Sequence, residues 1–288
     1  MPKFFLILLN WNNAPDTLEC LSSLEKLDYP HYEILLIDNG STDSSLKVIR
    51  EAYPDLRILE MGENRGFSDG CNRGLKEGLK GDADFFLLLN NDTVVAPNLL
   101  TAIAKAAENR PEVGVFGPKI YYYGEPATIW YAGGGVDPQT GRCFHIGCGA
   151  SDDNEKYKDE ALTDYVCGCA LAVRREVVER VGGLDPKFFL LWEEIDWCYR
   201  IRDKGYSSLY VPSARIWHKI SSSFPEGNRG PMWRYFYSRN RLLFHRRHTP
   251  RFKRWQKGGL FEKPLSIVGT CDYFLGRFGK GRLSKFTQ

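Results

Sequence analysis

Several signatures of common protein classes are missing from this chain. No apolar run is long enough to cross a bilayer, so no transmembrane helix is expected. Neither G-x-G-x-x-G nor G-x-x-x-x-G-K-[ST] occurs, which argues against a dinucleotide enzyme and a P-loop ATPase. No serine or cysteine triad signature points to covalent catalysis. Met1-Pro2-Lys3 passes directly into a strand-like run with no cleavage pattern, so no secretory leader is expected. The eight cysteines form no disulfide framework, and Cys143, Cys148, Cys167 and Cys169 fit no common zinc spacing. They read as reduced, buried thiols in a cytoplasmic protein. Acidic residues are nearly absent from one end: residues 229–288 hold 15 Lys/Arg and 2 Asp/Glu, although the 288-residue chain carries only +3. An acidic body therefore precedes a strongly basic extension, which suits an anionic partner or surface.

What is present alternates strand with helix. Phe4 to Leu9 is an apolar strand ending in Asn10-Trp11-Asn12-Asn13, and Pro15-Asp16 opens a helix with Leu18, Leu21, Leu24 and Leu27. Glu33 to Ile37 is a second buried strand, followed by Asp38-Asn39-Gly40-Ser41-Thr42-Asp43 and a helix through Ile49. Arg57 to Glu60 is a third, ahead of Gly62-Glu63-Asn64-Arg65-Gly66-Phe67 and a helix carrying Phe67, Cys71, Leu75 and Leu79. Phe85 to Leu89 is the fourth, and it stops abruptly at Asn90-Asn91-Asp92. The economical fold is α/β: an open, mostly parallel, Rossmann-like sheet with helices on both faces.

All four strands end in polar residues, which would line the sheet edge where such folds bind nucleotides. Amide and carboxylate oxygens at Asn90-Asn91-Asp92 suit a hard cation, Mg²⁺ or Mn²⁺. A plainer reading makes this an Asx-type turn with Asp92 capping the next helix. After a helix near Leu99 to Glu108, residues 113–150 suggest added strands or hairpins, and 151–163 an exposed loop. Tyr165 to Val173 reads as a strand and Arg174 to Val181 as a helix stopped by Gly182-Gly183. Then an aromatic run, Phe188 to Trp192, meets Glu193, Glu194 and Asp196 at a helix start. These acids could simply complement the helix dipole. Placed behind a hydrophobic wall that raises a carboxylate's pKa, one of them could equally be a general base. Val211-Pro212 and Ala214 to Trp217 read as short strands, with His218 at the end as a satisfied polar residue or a third metal ligand.

This ordered set resembles the inverting glycosyltransferases of family 2, with the GT-A fold, and most of all their rhamnosyltransferase-like branch. The resemblance spans Phe4 to about Phe244. It rests on Leu8-Leu9-Asn10-Trp11-Asn12, Ile37 to Asp43, Glu63 to Phe67 with Asn72, and Leu89-Asn90-Asn91-Asp92. Further along it rests on Gly182 to Asp185, Trp192 to Asp196, Trp217-His218-Lys219 and the Arg239-Asn240 pair. It implies a nucleotide-sugar pocket built by Asn10, Trp11, Asp38, Asn64, Gly66, Phe67, Asn72 and Asn91, with Asp38 on the base. It implies a metal held by Asp92 and His218. Asn90 stands where the family has the first Asp of its DxD motif, a weaker ligand. Glu194 matches the general base, with Glu193 and Asp196 as its rivals, and Trp192 would stack on an acceptor sugar.

The resemblance also implies a division into a catalytic unit, 1–228, and a basic, aromatic, helical C-terminal extension, 229–288. Within the first, 1–112 would bind nucleotide and 113–228 acceptor. The expected partners are a UDP- or dTDP-sugar and a saccharide or polyprenyl-linked acceptor. Trp233-Arg234-Tyr235-Phe236-Tyr237, Arg246-Arg247-His248 and Arg251-Phe252-Lys253-Arg254-Trp255 interleave charge with aromatics. That pattern suits a helix on an anionic membrane, which would place the protein peripherally on the inner face of the cytoplasmic membrane. A homodimer contact is the other use for it. No nucleic-acid motif accompanies the charge. Two competing functions are a sugar-phosphate nucleotidyltransferase, whose Gly-rich loop is missing near residues 10–20, and a degenerate domain serving as a membrane scaffold.

Overall fold

A computed structural model describes residues 1–137, 141–220, 230–249 and 264–282. Four strands, β1 (Phe4–Asn10), β2 (Tyr32–Asp38), β3 (Arg57–Glu60) and β4 (Phe85–Asn90), alternate with α1 (Ala14–Leu24), α2 (Ser45–Ala52) and α3 (Gly66–Gly78). They pair in parallel in the order β3-β2-β1-β4. Their near-continuous apolar sequences reflect burial on both faces: Phe4 to Leu8 and Phe85 to Leu89 are all under 5% exposed.

Helix α3 sits unusually close to this sheet. Gly70, Gly74 and Gly78 fall on one face, and a Cβ added to each would lie 2.3 Å from Leu9, 2.3 Å from Ile7 and 2.6 Å from Phe86. The same four-residue spacing that sets Cys71 and Leu75 in the core therefore also supplies a glycine seam. Gly74→Ala is expected to overpack this contact by about 1–3 kcal/mol. A thermal melt should show a drop of roughly 2–4 °C for each kcal/mol.

Beyond β4 the sheet becomes mixed. The next elements are β5 (Thr93–Val95), α4 (Leu99–Ala107), β6 (Val113–Tyr122) and β7 (Glu125–Tyr131). A separate ribbon pairs β8 (Gly134–Val136) with β9 (Cys143–His145). They are followed by β10 (Ala161–Thr163), β11 (Ala170–Arg174), α5 (Arg175–Val181), α6 (Glu193–Arg202) and β12 (Ser207–His218). Strand β11 runs antiparallel between β4 and β6, and β12 lies parallel to β6. The polar ends of β1, β2 and β4 and the end of β12 thus reach a common rim.

Three local expectations change. Asp92 leads into strand β5, not a helix, because Thr93 to Val95 pair with the end of β12. The strand expected from Tyr165 begins only at Ala170. Residues 167–169 form a turn in which Ala170 N–H bonds Cys167 O at 3.2 Å. The two short strands expected around Pro212 are one strand, β12, with a break in register between Val211 and Arg215, where proline has no N–H to give the ladder.

The basic extension contributes α7 (Pro231–His248) and α8 (Pro264–Phe274). Helix α7 does not present its aromatic face outward: Tyr235, Phe236, Leu242, Leu243 and Phe244 are buried, as are Arg239 and Asn240. Tyr235 and Phe236 expected at a membrane surface pack within the protein instead, because the run from Phe188 to Trp192 offers them an apolar partner surface. Phe189 stacks on Phe236 at 5.1 Å. The stretch Arg251 to Trp255 and residues 221–229 lie outside the described residues. No helix among the described residues is long and apolar enough to cross a membrane.

Candidate active site

The strand ends are tied together by side chains. Asn10 Nδ2 donates to Asp38 Oδ1 at 2.9 Å, while its Oδ1 accepts from Thr17 at 2.9 Å and Asn91 at 3.4 Å. Asn91 also donates to Thr17 Oγ1 at 2.8 Å. Asp38, 3% exposed, accepts from the Ser41 hydroxyl at 2.6 Å and the Ser41 amide at 3.0 Å. Asn10, Asp38 and Asn91 are thus brought together, with Thr17 and Ser41 as partners that motif reading passed over. Trp11 stands open at the rim, 42% exposed, ahead of Asn12 in the left-handed region.

On the far side of β2, Asn39 braces the loop that carries Asn64 and Gly66. Its amide donates to Asn64 Oδ1 and Gly66 O, both at 3.2 Å, and accepts from Arg65 N–H at 3.1 Å. Gly66 has φ +83°, and a Cβ there would lie 2.5 Å from the Phe189 ring. Phe67 N–H then bonds Phe189 O at 2.7 Å, fastening this loop to the run before α6. Asn72 is engaged by the chain entering the run before α6. Its amide is used at both ends by the Leu184 backbone, at 2.8 and 2.9 Å, because α3 must hold the chain entering that run.

Asp92, 2% exposed, and His218, 7% exposed, meet at 3.1 Å between Oδ1 and Nε2. Burial works against charge on His218, but the adjacent Asp92 charge and hydrogen bond outweigh it and raise its pKa. The other ring nitrogen, Nδ1, is buried and has no hydrogen-bond partner. The Nε2–Oδ1 contact sets an imidazole donor directly beside a carboxylate, a pair that would suit a divalent cation shared with diphosphate oxygens. Among the described residues no third His, Cys, Asp or Glu joins them. The Asn90 backbone oxygen is occupied by the Thr93 hydroxyl at 2.7 Å.

Asp196 stands apart from the other two acids of α6, each of which has a buried Oε2 without a partner. Asp196 is fully buried and bonds Arg200 at 2.8 Å, Arg247 at 3.0 Å and His248 at 2.9 Å. Burial alone would raise its pKa, but the His248 hydrogen bond and the two arginines hold it below the ordinary value. It clasps α6 to α7 and has no freedom to act as a base, contrary to its place among the candidates. Glu193 is 4% exposed and lies near Cys71 on α3, whose thiol is pushed up by burial and then by the Glu193 charge. Burial raises Glu193 well above the usual carboxylate range. Glu194 is half-buried, and its Cβ lies 3.4 Å from the position a Cβ on Gly168 would take, with Phe67 alongside. Burial, then the neighbouring Cys167, push its carboxyl up to about 7, and its Oε2 has no partner.

Glu194 and the Asp92–His218 pair converge on the Cys167-Gly168-Cys169 turn. Burial and then the Cys167 hydrogen bond raise the Cys169 thiol, with lesser contributions from Asp92 and Glu194, and Asn90 N–H bonds Cys169 O at 2.9 Å. These cysteines lie between the two halves of the site, a place their sequence spacing gave no reason to suspect. His145 and Trp130 were also unmarked. Trp130 packs edge-on against His218 at 4.8 Å and His145 at 4.4 Å. Trp192 is only 2% exposed, enclosed by Tyr237, Phe244 and His245 at 5.2–5.7 Å. Enclosed by α7, its ring offers no open face to an acceptor sugar.

A family model described as glycosyl transferase family 2 matches residues 6–182, which is more than half of the chain. The chain belongs to that family. It is a glycosyltransferase, and its fold is GT-A. One relative is an N-acetylglucosaminyl-diphospho-decaprenol L-rhamnosyltransferase of Mycobacterium tuberculosis, 28% identical over 237 residues, with 76% of each chain covered. Another is the O-antigen biosynthesis protein RfbC of Myxococcus xanthus, 28% identical over 227 residues, 75% of this chain but 17% of that one. Among solved structures, a Pyrobaculum calidifontis mannosyltransferase with GDP-Man and Mn²⁺ superposes with TM-score 0.60 at 20% identity, covering 93% of this chain and 69% of that one. The S. aureus TarS 1–349 complex with UDP-GlcNAc gives 0.56 at 16% identity, covering 99% and 75%. At these identities the structural matches establish the fold alone.

Proposed function

We propose that this glycosyltransferase inverts configuration with metal assistance, moving rhamnose or a related hexose from a UDP- or dTDP-sugar. The acceptor is a hydroxyl of a polyprenyl-diphosphate-linked saccharide in cell-surface polysaccharide synthesis, reached from the inner face of the cytoplasmic membrane. The acceptor class is supported by the printed activity of the mycobacterial relative. The observation that carries the reaction type is Glu194: a half-buried carboxyl on α6 with one unpaired oxygen, packed against the Cys167–Cys169 turn whose Cys169 carbonyl bonds Asn90, two residues from Asp92.

Asn10, Asp38, Asn64 and Asn91, with Trp11, Gly66 and Phe67 at the rim, would bind the nucleotide at the strand ends. Asp92 and His218 would hold Mg²⁺ or Mn²⁺, which when bound supplies positive charge to the diphosphate as it leaves. Glu194 accepts the proton of the acceptor hydroxyl while that oxygen bonds to the anomeric carbon. The bond from that carbon to the diphosphate oxygen breaks on the opposite face. One displacement with one base yields the opposite anomer and needs no enzyme nucleophile.

The experiment offers UDP- and dTDP-sugars, rhamnose included, with Mn²⁺ and a GlcNAc-diphospho-prenyl acceptor. The anomeric configuration of the product is read by NMR across a pH series. Glu194 must be deprotonated to act, so the rate should climb with pH through about 7 and fall below it. Retention of configuration, or a rate flat from pH 5.5 to 8, would overturn this reading.

A further inference from the structure

The run entering α6 is held in an unfavourable backbone conformation. Phe189, Leu191 and Trp192 have φ of 65°, 70° and 76°, and none is glycine. Side chains in the left-handed region carry a steric cost and persist only where surroundings over-determine them. Here the restraint comes from two adjacent side chains on α7. Arg239 Nη2 donates to the carbonyls of Lys187 at 3.1 Å and Phe188 at 2.8 Å. Asn240 Nδ2 lies 2.8 Å from the carbonyls of Phe188, Leu190 and Leu191. Arg239 Nε donates to Asn240 Oδ1 at 2.9 Å, orienting the amide so that its N–H groups face the loop.

Both residues are fully buried. The carbonyl of this run that they leave, Phe189 O, is taken from the other side by Phe67 N–H of the nucleotide-side loop. The run is therefore fastened to α7 on one side and to the nucleotide-side loop on the other, immediately before Glu193 and Glu194.

We propose that Arg239 and Asn240 are positioning residues for glycosyl transfer. They hold the left-handed Lys187–Trp192 backbone in the conformation that aims the first turn of α6, and with it Glu194, at the cleft. Without these donors the Leu190 and Leu191 carbonyls lose their partners, those of Lys187 and Phe188 keep one backbone N–H each, and the run relaxes toward ordinary dihedrals. The carboxylate then moves by a distance that matters for proton transfer. The helix contributed by the basic extension is in this sense part of the catalytic apparatus. The inference rests on Glu194 being the base.

The test uses the full chain. Asn240→Ala should stay folded by thermal melt and bind UDP or dTDP within about threefold of the parent, while kcat falls about 10²-fold, the scale of a 1 Å misplacement. Adding Leu191→Gly, which removes the steric cost at φ 70°, should then restore kcat at least tenfold, a coupling that loss of packing alone would not give. A kcat within threefold of the parent, or a defect that Leu191→Gly leaves untouched, would overturn the proposal. Should Asn240→Ala fail to fold, Arg239→Lys keeps the charge but loses the forked donors. An unchanged kcat there overturns it equally. The base itself is tested separately by Glu194→Gln, so failure of one reading is distinguishable from failure of the other.

Discussion

Glu194→Gln is expected to lower kcat about 10³-fold, within the range that positioned general bases contribute, while nucleotide affinity changes little. The amide keeps the side chain's size but cannot take a proton. The same substitution should raise the melting temperature at pH 8. The folded-state pKa of Glu194 lies above its unfolded value, so ionising it works against folding as pH rises from about 4.5 to about 7. A neutral amide removes that penalty. Activity down and stability up is the signature of a carboxylate held for chemistry. Glu193→Gln should share the rise in stability, since burial also raises that carboxyl. Its kcat should fall by less than about tenfold, because Glu193 is more deeply buried than Glu194 and lies near Cys71 of α3. If Glu193→Gln is the more damaging substitution, the base is misassigned. If neither lowers turnover, neither glutamate is the base and the proton goes elsewhere.

The parallel half of the fold was legible in the sequence because its signals are local. A fully buried strand reads as an unbroken apolar run, and its exit to the rim reads as a sudden change to Asn and Asp. Phe85 to Asp92 carries both signals within eight residues. The candidate nucleotide residues came from the family resemblance, and the shared edge of a parallel sheet explains why Asn10, Asp38 and Asn91 among them meet.

What the sequence hid depends on contacts between distant residues. Asp196 looked as available as Glu194 until Arg247 and His248, about fifty positions later, were seen on its carboxylate. Trp192 looked like a stacking platform for the same reason: its enclosure by α7 leaves no trace in spacing. The basic extension showed the charge pattern of a surface helix, yet Arg239 is spent on backbone carbonyls inside the protein. A guanidinium's five donors can satisfy buried acceptors as readily as face an anionic surface, and composition does not distinguish these uses.

Asp92→Asn is expected to abolish the strengthening of nucleotide binding by Mn²⁺ and to lower kcat/KM by about 10³-fold, a loss of roughly 4 kcal/mol in transition-state stabilisation. The substitution is close to isosteric, and an amide oxygen can still accept from His218 at the 3.1 Å contact. The fold should therefore survive, and a melt within a few degrees of the parent confirms that the defect is electrostatic. The physical reason for so large an effect is the small donor set. Asp92 is the only carboxylate beside His218 at this end of the sheet among the described residues. The first acid of the usual pair is Asn90, whose amide oxygen binds a hard cation weakly. Removing the single negative charge leaves only neutral donors, so the cation should no longer be drawn to the diphosphate. His218→Ala should weaken the metal effect less, since imidazole contributes no charge to the pair. Calorimetric titration of UDP and dTDP with and without Mn²⁺ reads both variants directly. Equal metal enhancement in the parent and in Asp92→Asn would show that the cation is held elsewhere, and the roles given to Asp92 and His218 would have to be withdrawn.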